Sequence, residues 1–146
     1  MKTNTNKLHG ILSLCLIIVA NIIGLASILS VNLDMGLIYL AILLISLAII
    51  TYSYCSKCPC RLESCAHVFP GKLTKFFPKR KPGSYTLLDI SGVLVPMLVM
   101  TIFPQFWLWQ NKIYFVLFWT LQIIAFIEIK MFVCKQCKNK YCPLSH

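Results

Sequence analysis

Four apolar runs decide what this chain can fold into. Ile11 to Val31, Met35 to Tyr54 and Ile90 to Trp109 contain no charged residue, and Ile113 to Val133 carries only Glu128 and Lys130. A helix of about 20 such residues, rising about 1.5 Å per residue, crosses a hydrocarbon layer of about 30 Å. Backbone N–H and C=O groups in lipid must bond within their own segment, so the runs read as helices rather than strands. Composition agrees: 58% of the 146 residues are hydrophobic and 12% charged, where a soluble domain carries roughly a quarter charged residues. The expectation is an all-α fold, an integral membrane four-helix bundle of two antiparallel transmembrane hairpins. Its spans run over about 10–31, 35–54, 88–109 and 113–133, in a single domain of residues 1–146.

The first run is longer than the roughly 7–15-residue core of a cleaved signal peptide, and a second span begins almost at once. It reads as a retained helix. Asn32-Leu33-Asp34 and Gln110-Asn111-Lys112 are turns short enough to force antiparallel hairpins. Asn21, near the middle of its span, is placed to bond a neighbouring helix. Pro96, near the middle of the third span, removes a backbone hydrogen bond and is expected to kink the helix there.

Lysine and arginine orient the spans. Thirteen of the fourteen flank the ends shared by both termini and the long central loop, and only Lys112 lies opposite. By the positive-inside rule both termini are cytoplasmic, in a multi-pass protein of the cell membrane. The net charge of +10 is therefore largely a topology signal. The loop 55–86 and the tail 134–146 then form a small cytoplasmic cap.

That cap holds seven of the eight cysteines. The loop offers Cys55, Cys58, Cys60, Cys65 and His67, and the tail offers Cys134, Cys137, Cys142 and His146. Each set opens with Cys-x-x-Cys directly after an apolar run and closes with a His twelve positions beyond its first Cys. Cytosolic thiols stay reduced, which favours metal binding or catalysis over disulfides. Soft thiolates at this spacing beside an imidazole match a closed tetrahedral zinc site. An iron–sulfur centre is the alternative, with Cys58-Pro59 and Cys142-Pro143 as Cys-Pro pairs but without ferredoxin spacing. Redox dithiols and soft-metal transport or delivery are further readings. Lys57, Arg61, Lys135, Lys138 and Lys140 are expected to lower the thiol pKa values. Ligand economy favours two local sites, one per segment, with Cys60 left over.

A shift of 79 residues superposes the halves: Leu8 on Leu87, Asn32 on Asn111, Cys55 on Cys134, Cys58 on Cys137 and His67 on His146. A duplicated hairpin ending in a cysteine knuckle follows from that register.

Between the cysteines and the third span, Lys72, Lys75, Phe76, Phe77, Lys79, Arg80 and Lys81 interleave basic and aromatic groups. Beside a bilayer they read as a segment lying on anionic lipid, in preference to one binding nucleic acid. Asp89 opens the third span, where a carboxylate suits a helix N-terminus. Glu128, inside the fourth span, reads equally as a functional intramembrane acid or as the partner of a nearby cation. No Ser/His/Asp set, phosphate loop or paired-carboxylate motif points to an enzyme. The expectation is a non-enzymatic accessory subunit, adaptor or assembly factor that partners the bilayer and another membrane protein.

Overall fold

The computed structural model describes residues 2–60, 65–78, 80–137, 139 and 141–142. Among them the secondary structure is entirely helical. The long helices are α1 (Lys2–Leu29), α2 (Leu33–Ser53), α4 (Leu87–Ile102) and α6 (Lys112–Glu128); the short ones are α3 (Val68–Leu73) and α5 (Gln105–Leu108). Four helical stretches are long and apolar enough to cross a membrane: Lys7–Leu29, Leu33–Lys57, Leu87–Leu108 and Lys112–Val133. They start and stop within a few residues of the expected spans.

Asparagine sets both hairpin turns. Asn32 caps α2 by accepting from the Met35 N–H at 3.0 Å, and Asn111 caps α6 by accepting from the Ile113 N–H at 3.1 Å. These are equivalent positions under the 79-residue shift, and each satisfies amide donors that the first helical turn leaves open. At the start of α4, Thr86 and Asp89 form a reciprocal capping box.

The third stretch is not one continuous helix. Pro104 has no N–H to give the Met100 carbonyl, so α4 ends at Ile102 and the chain turns into α5. The Tyr39 hydroxyl lies 2.9 Å from that carbonyl and 2.9 Å from Asn21 Oδ1, one proton serving two acceptors. Tyr39 is fully buried and stacks on Phe103, so it ties α2 to both α1 and α4. Asn21 thus bonds a neighbouring helix as its position implied.

α1 packs against α6 and α2, and α2 packs against α4. Gly92 lets the last pair approach closely, because a Cβ there would strike the Ser53 side chain. Ala20, Leu108 and Phe118 form a buried core where α1, α5 and α6 meet. Around them the usual polarity of a domain is inverted. Ser13, Asn21, Ser27, Ser46 and Thr51 are buried, while Ile22, Leu44, Leu98 and Phe126 face outward. Small polar residues inside and large apolar ones outside suit lipid contact rather than water contact.

Candidate metal centre

The first Cys-x-x-Cys segment follows α2 directly and the second follows α6 through a π turn over Ile129–Val133, yet the two segments fold alike. Cys55–Lys57 and Cys134–Gln136 are single 3₁₀ turns. The Cys58 N–H donates to the Cys55 carbonyl at 3.2 Å, and the Cys137 N–H to the Cys134 carbonyl at 3.0 Å. The second cysteines have nearly the same backbone, φ −71° and ψ 126° at Cys58 against φ −72° and ψ 129° at Cys137. With three residues per turn, positions i and i+3 eclipse, so each pair projects its thiols from one side. The next step also matches. The backbone N–H of Cys60 points at the Cys58 sulfur, and that of Asn139 at the Cys137 sulfur. The 79-residue register is therefore carried by backbone geometry as well as by residue type.

The two segments meet. The Asn139 amide donates to the Cys58 sulfur at 3.6 Å and to the Tyr85 hydroxyl at 3.1 Å. The Tyr54 hydroxyl is 2.7 Å from the Cys142 sulfur. Tyr54 and Tyr85 stack with ring centroids 4.3 Å apart, joining the end of α2 to the approach to α4. The tail leans across the end of α2, and α2 and α6 need not be adjacent for their cysteine segments to touch. Asn139, Tyr54 and Tyr85 were not among the expected site residues. The one sequence signal for Asn139 was its place two residues after Cys137, where the first segment has Cys60.

His67 Nδ1 lies 3.1 Å from the Gly10 carbonyl. A carbonyl only accepts, so Nδ1 carries the proton and Nε2 keeps a free lone pair, the state a metal-binding imidazole needs. Burial also holds the His67 pKa below its ordinary value, with the Gly10 carbonyl opposing that shift in part. Gly10 is required at this contact, because a Cβ would run into the Ala66 carbonyl.

The thiols are pushed the opposite way from the expected lowering. Burial raises Cys58 to about 12, against the Cys60 N–H and with help from neighbouring thiols. Cys134 rises to about 11 for the same leading reason, and Cys65 and Cys137 also rise. Lys57 does not offset this, because its ammonium faces the Asp89 carboxylate at 2.7 Å and the Ser84 carbonyl. A bound cation would reverse the preference by favouring thiolate directly. Among the described residues, no three Cys, His, Asp or Glu side chains converge closely enough to hold an ion as they stand. His146, Arg61, Lys79, Lys138 and Lys140 lie outside the described residues.

Both carboxylates have partners. Asp89, 2% exposed, takes Lys57 at 2.7 Å on one oxygen and Arg80 at 2.7 Å on the other. Arg80 also lies over the Tyr52 ring, so it is turned to the protein. Among the described residues Glu128 is met by His9 and not by Lys or Arg: Nδ1 to Oε2 is 2.8 Å, and His9 stacks on Phe132 at 4.4 Å. In the basic stretch Lys72, Lys75 and Lys81 are exposed, Phe76 is 87% exposed and Phe77 is half-buried against Tyr52.

No protein-family model, curated protein or solved structure matches the chain.

Proposed function

We propose that the chain is a four-span bundle in the cell membrane whose cytoplasmic thiols hold zinc as a cap over the helix ends. One observation carries this reading. Two Cys-x-x-Cys turns of the same geometry, each with a backbone N–H directed at its second sulfur, face each other at the end of two helical hairpins. Peptide donors aimed at sulfur stabilise thiolate ligands and fix their orientation. Bound zinc would supply a tetrahedral, redox-inert cross-link between segments that the helices alone do not join. The chain's own residues do the rest: the 3₁₀ turns pair the thiols, and Gly10 sets the His67 tautomer.

The role that fits is an accessory, adaptor or assembly factor with no chemistry of its own. Lys72, Lys75 and the outward Phe76 suit an anionic lipid surface beside the cap, with Lys and Arg worth roughly 1 kcal/mol each near such headgroups. Metal analysis of protein purified without oxygen or chelator tests the reading. Colourless protein with stoichiometric zinc is expected. Visible charge-transfer absorbance with bound iron would replace zinc by an iron–sulfur centre, and metal-free protein would overturn the cap.

A further inference from the structure

We propose that the chain pairs with a second copy of itself inside the bilayer, along the flank of α6 that carries Gln122. The inference rests on the membrane-spanning half of the reading above and not on the metal.

Gln122 is the first reason. It lies midway along the span Lys112–Val133, about 15 Å from either end. Three side-chain amides fall within the spans, at Asn21, Gln105 and Gln122. Asn21 donates to the Ile17 carbonyl at 2.7 Å and accepts from the Tyr39 hydroxyl at 2.9 Å. Gln105 donates to the Thr101 carbonyl at 2.5 Å and accepts from the Trp119 indole N–H at 3.1 Å. Each of these two uses both ends of its amide. Gln122 is half-buried and makes no side-chain hydrogen bond among the described residues. Hydrocarbon offers an amide no partner, and leaving it unpaired there is costly. Membrane helices relieve such a group by bonding it across to another helix.

The open edge of the bundle is the second reason. The long helices lie in the order α4, α2, α1, α6, each packed on the next, and α4 and α6 do not pack on one another along their length. α6 therefore has one long neighbour, α1, and a free flank. Glu128 meets His9 of α1 on one side of α6. Gln122 lies towards the other side, one turn beyond Trp119, whose indole reaches α5. Trp119 and Phe126, one turn to either side of Gln122, are 38% and 60% exposed. The amide thus sits between two outward aromatic rings.

A second copy suits this flank because an amide is its own complement. It carries N–H donors and a carbonyl acceptor, so two copies of Gln122 can exchange N–H···O=C bonds in both directions. A two-fold axis along the membrane normal closes such a pair as a dimer. Both copies carry the same lysine pattern, which favours one orientation, and symmetry then brings the two Gln122 residues to one depth. An unrelated helix would need a polar group of its own at that depth.

Full-length protein labelled with one fluorophore at its N-terminus and diluted stepwise into liposomes tests this, read by fluorophores per particle. Photo-crosslinking in the membranes of expressing cells maps the contact. The unaltered chain should form dimers. Phe126→benzoylphenylalanine, which keeps the amide, should crosslink to α6 of a second copy, and Ile124→benzoylphenylalanine, on the far side of α6, should not. Gln122→Leu should weaken dimerisation roughly 3–30-fold, the range for interhelical hydrogen bonds in membranes. Its thermal midpoint at high dilution should not fall, because no bond within the chain is lost. Monomers at every dilution, undiminished dimers in Gln122→Leu, or crosslinks from position 126 that reach only lipid or another polypeptide would overturn the second copy while leaving the membrane bundle standing. Protein that alkaline carbonate strips from the liposomes would overturn both.

Discussion

His67 Nδ1 sits 3.1 Å from the carbonyl oxygen of Gly10, so the loop that carries four cysteines is anchored on the first turns of α1. The anchor works because Gly10 has no side chain. A methyl group there would overlap the Ala66 carbonyl, and overpacking of this kind costs about 1–3 kcal/mol. Gly10→Ala should lower the thermal midpoint in detergent and weaken metal binding. Gly83→Ala, where a Cβ meets nothing within 4 Å, should change neither. Equal behaviour of the two variants would remove the anchor from the account.

Asp89 gathers two cations that belong to different parts of the chain, Lys57 in the 3₁₀ turn after α2 and Arg80 in the approach to α4. Replacing it with Asn leaves both without a countercharge in a site where the acid is 2% exposed. Breaking a buried pair from one side costs about 3–5 kcal/mol. Asp89→Asn should therefore destabilise much more than Arg80→Gln, whose partner keeps Lys57. Hydrogen exchange at residues 86–88 should rise in the Asn variant. Similar midpoints for the two variants would show that the carboxylate is a cap only.

Thiol ionisation gives a pH dependence with a definite sign. Burial raises Cys58 to about 12 and Cys134 to about 11 in the folded chain, against about 8.5 for an ordinary thiol. The folded state therefore favours the protonated form. Its thiol contribution to stability is whole below about pH 8.5 and is lost as pH climbs through the folded values. Alkylation follows the thiolate. In chelator-treated folded protein the rate should still be climbing at about pH 10, whereas in denaturant it should level off by about pH 9–10. A folded-state plateau below about pH 9 would mean that the thiols ionise more readily than burial allows.

The lysine asymmetry gives a testable expectation for orientation: clustered thiols on the cytoplasmic side. On that expectation, intact cells expressing the unaltered protein should take up no membrane-impermeant maleimide. Leu33→Cys, at the exposed start of α2, should label. Labelling of the unaltered chain without gain from Leu33→Cys would invert the orientation and place the cap in an oxidising space.

The long helices and their turns were legible in the sequence because their causes are local. An uncharged run of about 20 residues and an asparagine at the turn act within one helix and its cap. The Cys-x-x-Cys pairs were legible for the same reason, spacing being a property of one turn. Asn139 on Cys58 and Tyr54 beside Cys142 were not, because nothing periodic in either segment says across which helix end it will lean. His9 precedes the expected first span, which starts at about residue 10, yet α1 extends to Lys2 and brings its ring to Glu128 and Phe132. The thiol pKa values went the opposite way from expectation because neighbouring lysines in sequence do not outweigh burial in the fold. Lys57 shows this directly: two residues from Cys55, it spends its charge on Asp89.

The central claim is that sulfur from this cap holds a metal, and the absorption edge of the metal itself tests that most directly. Extended fine structure at the zinc edge, recorded on protein purified without added metal, should show a shell of sulfur at about 2.3 Å. A first shell of nitrogen or oxygen at about 2.0–2.2 Å without sulfur would contradict it.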